Sequence, residues 1–327
     1  MTTVETALLA EKILKLKEER NALILAHNYQ LGEVQDVADY VGDSLELSQA
    51  AARSTADVIL FCGVRFMAET ASILCPDKTV LLPDIRSGCL LADMITAEQL
   101  KERKKELPEA AVVCYVNSPA EVKAESDICC TSANAVSIVQ RLNNNDILFV
   151  PYQYLGHYVS TLVDKRIILW SGRCPTHTRI GAQDVVRLKQ GYPRAKVVVH
   201  PECRPDVIAL ADEVLGTGGM VRYARRDDVT KMIVGTEIGI IHRLRKETPD
   251  KEFIPVSEQA VCPDMKLITL DKILRSLEEM EPQVEVPDGV RLKAKSALDR
   301  MLSVAGDETH GDVEAKELPT MRSRHVY

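Results

Sequence analysis

Three stretches of this chain repeat one another at nearly constant spacing, and few folds accommodate such a pattern. Apolar, β-branched-rich runs ending in polar clusters occur at "ALILAHNYQ" from Ala22, "AVVCYVNSP" from Ala111 and "KVVVHPEC" from Lys196. His27, Tyr115 and His200 hold the same place in the three, at nearly equal intervals. A second set, "DVILFCG" from Asp57, "DILFVPY" from Asp146 and "KMIVGTE" from Lys231, follows at similar intervals. So does a third, "KTVLLPD" from Lys78, "KRIILWS" from Lys165 and "KEFIPVS" from Lys251. Helix-like sequence such as "TSANAVSIVQRL" separates the runs, so each unit reads as β-α-β-α-β. Continuous apolar strands alternating with helices imply parallel sheets covered on both faces. The expected fold class is α/β, with three pseudo-symmetric three-layer αβα domains, their parallel sheets arranged around a common centre. Their expected limits are residues 1–104, 105–190 and 191–272. A helix near 288–305 is expected to rejoin the first domain, and 306–327 reads as a polar extension in which His310 and His325 are solvated.

One cysteine follows the third run of each unit, again at nearly equal intervals: Cys89 in "SGCLLAD", Cys174 in "GRCPTHT" and Cys262 in "EQAVCPDMK". A single cysteine is commonly a core residue, but three at equivalent positions are not explained that way. Parallel αβα units carry ligand sites outside the carboxyl ends of their strands. Three units around an axis therefore aim three thiols at one point, and His177, close behind Cys174, is not required as a ligand. Nine cysteines, an odd and scattered set, argue against a disulfide framework. The other six, Cys62, Cys75, Cys114, Cys129, Cys130 and Cys203, lack threefold counterparts and are expected to be buried or incidental. Three converging thiolates suit a zinc ion or an iron-sulfur cluster. Structural zinc ordinarily takes four ligands, often as two close pairs. A [4Fe-4S] cluster held by three leaves one iron open as a Lewis acid, and this assignment is preferred.

The same repeat marks alternate polar residues at the end of each first strand: His27 with Tyr29, Tyr115 with Asn117, and His200 with Glu202. A lone histidine or tyrosine there would be an ordinary satisfied polar group; three equivalent pairs suggest acid-base chemistry. Hydroxyl residues recur at helix starts as well, with Ser44, Ser132 and Thr217 at the same spacing as the pairs. Each alone says only that a helix begins, but together with the exposed N–H groups of those helices they form a receptor for carboxylate or phosphate oxygens. The expected substrate is small and multiply anionic.

Composition narrows the field further. The chain has 327 residues, 46% of them apolar, a formal charge of −7 and a pI near 5.6, so no polyanionic partner such as nucleic acid is indicated. The segment "MTTVETALLAEK" does not read as a basic-then-apolar leader, and no apolar run reaches the roughly 18 residues of a membrane span. A cytoplasmic protein is expected.

In order along the chain, "AHNYQ", "GDSLEL", "CGVRFMAET", "LLPD" with "GC" and "LAD", "YVNS", "CTSANA", "HPEC", "VGTEIG" and "CPDMK" resemble the quinolinate synthase (NadA) family from about Ile24 to Met301. The resemblance implies three αβα domains around a [4Fe-4S] cluster. It also implies condensation of iminoaspartate with dihydroxyacetone phosphate to quinolinate, losing phosphate and two waters. By matching motif, Cys89, Cys174 and Cys262 would hold the cluster. Tyr29 and Glu202, with Tyr115, would be catalytic, and His27, Ser44, Asn117, Ser132, His200 and Thr217 would bind substrate. The enzyme that makes iminoaspartate is a further expected partner.

The chain also departs from the family pattern. "PYQYLG" places Tyr152 and Tyr154 where similar enzymes carry an acid and an amide, Thr178 follows His177 in place of an acid, and "LGT", Leu215 to Thr217, replaces Gly-Ser-Thr. Two rings in the pocket wall would alter its volume, so a paralogue acting on another small anion is an alternative reading. A non-catalytic cluster-bearing sensor or redox carrier is a second.

Overall fold

The computed structural model describes residues 3–308; the polar tail expected beyond them, with His310 and His325, lies outside the described residues. The chain forms three parallel sheets of four strands each. The first holds β1 (Ala22–His27), β2 (Tyr40–Gly42), β3 (Val58–Cys62) and β4 (Thr79–Leu81) in the order β2-β1-β3-β4. The second holds β5 (Ala111–Tyr115), β6 (Ile128–Cys130), β7 (Asp146–Val150) and β8 (Arg166–Leu169), and the third β9 (Lys196–Val199), β10 (Glu213–Val214), β11 (Lys231–Gly235) and β12 (Glu252–Pro255). Both repeat the order of the first, as β6-β5-β7-β8 and β10-β9-β11-β12. Helices cover both faces, so the α/β class with three αβα units is what the chain adopts.

Each unit has one strand more than the sequence pattern indicates. β2, β6 and β10 are edge strands of only three, three and two residues. Nothing that short shows an apolar run, and the ladder is supplied by tertiary pairing, as in Cys114 opposite Cys129 and Tyr115 opposite Cys130. The central strands follow the pattern: every residue of β3 and β5 is buried. Fully burying each Val, Leu or Ile contributes about 1.5–3 kcal/mol, which favours β-branched runs covered on both sides. In every unit the chain enters at the first strand, steps out to the short edge strand, then returns to the other side of the first. The switch point between first and third strands is where α/β sheets bind ligands.

The units are joined by exchanged helices. The helix that follows each cysteine loop packs on the next unit: Ala97–Glu106 meets Ala120–Ala124 of the second, and Ala182–Gly191 meets β11 of the third. Leu270–Glu279 returns to the N-terminal helix Thr3–Glu19, which lies on β1. The ring is thereby closed. The last helix, Asp288–Glu308, lies mainly along Ala120–Ala124 and β6 of the second unit, with a smaller contact to Arg65–Leu74 of the first. The first-domain packing expected for it is thus its lesser contact; its buried residues Ala294, Ala297, Leu298 and Met301 complete the same apolar core as the first two sheets.

Candidate active site

The carboxyl ends of the three sheets face one cavity of about 110 Å³. Its wall contains Cys89, Cys174 and Cys262, and with them His27, Tyr29, Ser44, Tyr115, Asn117, Ser132, His200, Glu202 and Thr217. Every residue singled out from the repeat is brought to this one place.

The polar pairs are positioned by a turn, not by strand alternation. β1 ends at His27, and the Tyr29 N–H donates to His27 Nδ1 at 3.1 Å. In the third unit the Glu202 N–H donates to His200 Nδ1 at 3.2 Å. An Nδ1 that accepts a backbone N–H leaves Nε2 as the protonated nitrogen of a neutral imidazole. Burial, with the neighbouring His200, brings His27 down to about 3, and burial likewise brings His200 to about 3 despite Glu202. Both rings are therefore neutral N–H donors at neutral pH.

Glu202 and Tyr29 belong to one hydrogen-bonded chain. Tyr29 Oη lies 2.5 Å from Thr236 Oγ1, which lies 2.8 Å from His177 Nε2. His177 Nδ1 is 2.8 Å from Glu202 Oε2, and the Tyr115 hydroxyl donates to Glu202 Oε1. Burial disfavours charge on both His177 and Glu202, but their attraction outweighs it. His177 is carried up to about 10 and Glu202 held down to about 2, an ion pair. Burial, reinforced by Glu202, keeps Tyr29 and Tyr115 protonated far above the usual tyrosine range. The Asn117 amide oxygen is buried without a hydrogen-bond partner, an acceptor aimed at whatever fills the cavity.

The three thiols have an environment that fits a multivalent metal group. None is in a disulfide. Burial pushes Cys89 up to about 12 and Cys262 up to about 11, and raises Cys174 even against His177. Unliganded, they stay neutral; as thiolates they need a cation, and metal binding would supply it by displacing their protons. A second donor set overlaps the first: Cys174, His177 and Glu202 offer ligand atoms within 4.8 Å of one another. His177 and Glu202 already satisfy each other, so the three-cysteine set is the one left wanting a cation.

Hydrogen bonds brace the cysteine loops. The single Ser87 hydroxyl proton is shared between Gly63 O at 2.7 Å and Asp264 O at 2.9 Å, which brings the Cys89 and Cys262 loops together. The Gln153 N–H donates to Gly172 O at 2.9 Å behind Cys174. Glu237 Oε1 accepts the Cys262 N–H at 3.0 Å and pairs with Lys266 at 2.9 Å.

Several groups escaped sequence reasoning. Thr236 and Glu237 end a quoted run, yet their counterparts in the second unit are Pro151 and Tyr152, so equivalence gave no signal. Asn28 donates to Thr217 Oγ1 at 2.8 Å and accepts from Arg243 at 2.7 Å. Asp43, not Ser44, caps the helix Ser44–Arg53, in a capping box with Glu46; Gly216 and Asn134 occupy the other two caps. The two substituted rings are not where the sequence suggested. Tyr152 is fully buried behind Tyr115, its rings stacked at 6.1 Å, and half-buried Tyr154 faces Arg173. Neither lines the cavity; Tyr152 packs against Tyr115, which does.

Residues 11–303 match the profile of the family described as quinolinate synthetase A protein. The chain belongs to that family. Among its relatives, the quinolinate synthase of Dehalococcoides mccartyi strain CBDB1 is 63% identical over 91% of this chain and 98% of its own length. Quinolinate synthase 2 of Methanosarcina acetivorans is 55% identical over 93% and 98%, and the quinolinate synthase of Geotalea uraniireducens 54% over 90% and 97%. Family membership therefore spans all three sheets and the whole cavity. Among the described residues no helix is long and apolar enough to cross a membrane.

Proposed function

We propose that this chain is a quinolinate synthase that condenses iminoaspartate with dihydroxyacetone phosphate, releasing phosphate and two waters, with a [4Fe-4S] cluster on Cys89, Cys174 and Cys262. The observation that carries this reading is the convergence of those thiols, one from each unit, with the acid-base and anion-binding side chains in a single cavity. When bound, the cluster supplies a Lewis-acidic iron for a substrate oxygen. The rest is the work of side chains. The neutral His27 and His200 donate Nε2–H bonds to carboxylate or phosphate oxygens without carrying charge into the site. Ser44 and Thr217 offer hydroxyls from the first residues of their helices, and Ser132 from the turn that precedes the helix Ala135–Arg141. Asn117 accepts an N–H or O–H with its unpartnered oxygen.

Proton transfer falls to Tyr29 and Glu202. Tyr29 gives its phenolic proton and regains one through Thr236 from His177, while Glu202 accepts protons with its ionised carboxylate. Because the same chain joins them, a proton taken up at Glu202 has a route to Tyr29 without bulk water. Against the paralogue reading stand the 54–63% identity to quinolinate synthases over most of the chain and the absence of Tyr152 and Tyr154 from the residues lining the cavity. A sensor or redox carrier would have no use for a buried acid-base chain beside its cluster.

Anaerobic reconstitution with iron and sulfide, followed by incubation with iminoaspartate and dihydroxyacetone phosphate, tests the proposal. The unmodified protein should release quinolinate. Glu202→Gln should lower turnover by roughly 100-fold or more while retaining iron, because it removes a base and not a thiolate. Absence of quinolinate from a fully iron-loaded protein overturns the reading.

A further inference from the structure

Tyr152 stands between two parts of the site that come from different units. Its hydroxyl donates to the backbone carbonyl of Glu202, in the third unit. The Cys174 backbone N–H, in the second, faces the same hydroxyl. Its ring lies beneath that of Tyr115, the two planes inclined by 17°. Among the described residues it is also the most voluminous side chain that is fully buried.

The backbone around it is built for that contact. Tyr152 and Gly172 form an isolated parallel bridge, and the Gln153 N–H donates to Gly172 O at 2.9 Å. A Cβ at Gly172 would stand 2.3 Å from Pro151 O, so only glycine lets the Cys174 loop come this close to the end of β7. The equivalent position in the third unit is Glu237, whose carboxylate takes the Cys262 N–H at 3.0 Å. Two of the three units thus send one polar side chain from the same place in the repeat to the cysteine loop. Tyr152 reaches the neighbouring unit's acid-base loop directly, whereas Glu237 is linked to the Tyr29 loop through Lys266, which pairs with Glu237 and donates to the Tyr29 carbonyl.

We propose that Tyr152 is a positioning residue for the reaction, its hydroxyl fixing the Glu202 backbone to the Cys174 loop and its ring setting the Tyr115 hydroxyl against the Glu202 carboxylate. It touches no substrate. It acts by holding base and thiolate loop in one frame, so that a substrate held at the centre meets Glu202 at hydrogen-bond distance. This rests on the quinolinate synthase reading, and it assigns a task to one of the residues by which the chain departs from its family's pattern.

Tyr152→Phe keeps the ring and its stacking and removes only the hydroxyl. Four quantities are measured beside the unmodified protein: iron content after reconstitution, melting temperature, kcat with KM for both substrates, and backbone amide hydrogen exchange. The expected result is a fall in kcat of roughly 10- to 100-fold with KM within about twofold. Iron content should hold, and exchange should quicken at Glu202, Cys203 and Cys174 while the strands keep their protection. An unchanged kcat overturns the inference, and so does a loss of activity that merely follows a loss of iron or of melting temperature. Should the unmodified protein make no quinolinate, the reaction reading fails by itself. The exchange data then still decide whether the hydroxyl ties the two loops, unchanged exchange refuting it.

Discussion

Glu202 is held from three directions, by His177, by Tyr115 and, through its own carbonyl, by Tyr152. Its neighbour Cys203 is fully buried, with its thiol on Gly235 O at 3.3 Å, facing away from that network. Cys203→Ala should accordingly keep iron near the unmodified level after anaerobic reconstitution, whereas Cys174→Ala should lose most of it. Equal losses measured by iron assay would reassign the third thiolate. The repeat made the thiols and the polar pairs legible, since equivalent residues carried related chemistry at nearly equal intervals. It was silent wherever the three units diverged. Val64, Tyr152 and Glu237 occupy one equivalent position, and no spacing rule links a valine, a tyrosine and a glutamate by role. His177 could be seen beside Cys174, but its bond to Thr236, 59 residues away, depends on how the second and third units dock.

Among the elements, the helix Thr217–Ala224 carries adjacent glycines in opposite circumstances. Alanine favours a helix over glycine by about 1 kcal/mol, so on propensity alone either replacement would stabilise. At Gly218, however, a Cβ would lie 2.6 Å from Asp43 Oδ2, and that carboxylate is pinned by the N–H groups of Leu45 and Glu46 at 2.9 Å. Overpacking of that kind costs roughly 1–3 kcal/mol. Gly218→Ala should therefore lower the unfolding free energy by about 1 kcal/mol or more, and weaken substrate binding at Thr217. At Gly219 the nearest atom is Leu215 Cβ at 3.2 Å, which a small shift relieves, so Gly219→Ala should be neutral or slightly stabilising. Thermal melts of the two variants decide whether space or propensity rules here. The long buried strands were readable as uninterrupted β-branched runs; β2, β6 and β10 were not, because two or three residues become a strand only when a neighbour supplies the ladder. The helix Asp288–Glu308 was readable as a helix, but its address on the second unit was not, since an apolar face does not name its partner.

For the molecule as a whole, closure of the ring is reinforced by charge. Asp84 accepts from Lys272 at 2.8 Å and from Arg86 at 2.7 Å, joining the first unit to the helix Leu270–Glu279. The Arg86 hydrogen bond, assisted by Lys272, holds the Asp84 carboxyl well below the usual carboxylate range. A folded-state pKa below the unfolded value of about 3.9 means that this contribution is complete above that pH and fades as acid protonates Asp84 in the folded protein. Asp84→Asn should melt below the unmodified protein at pH 7, and the difference should shrink progressively below about pH 4. A gap that stays constant into acid would show that the pair contributes nothing through its charge. The same closure has a meaning for biosynthesis. Arg20, at the end of the first helix, donates to the carbonyl of Glu278, 258 residues later. Contacts so distant in sequence form late. A nascent chain can fold its first sheet soon after that sheet emerges, but it has no Cys262 and no helix to close the circle until the third unit has been translated. A growing polypeptide therefore carries Cys89 and Cys174 before Cys262 exists, and the proposed cluster, held by all three, could be completed only after Cys262 has emerged.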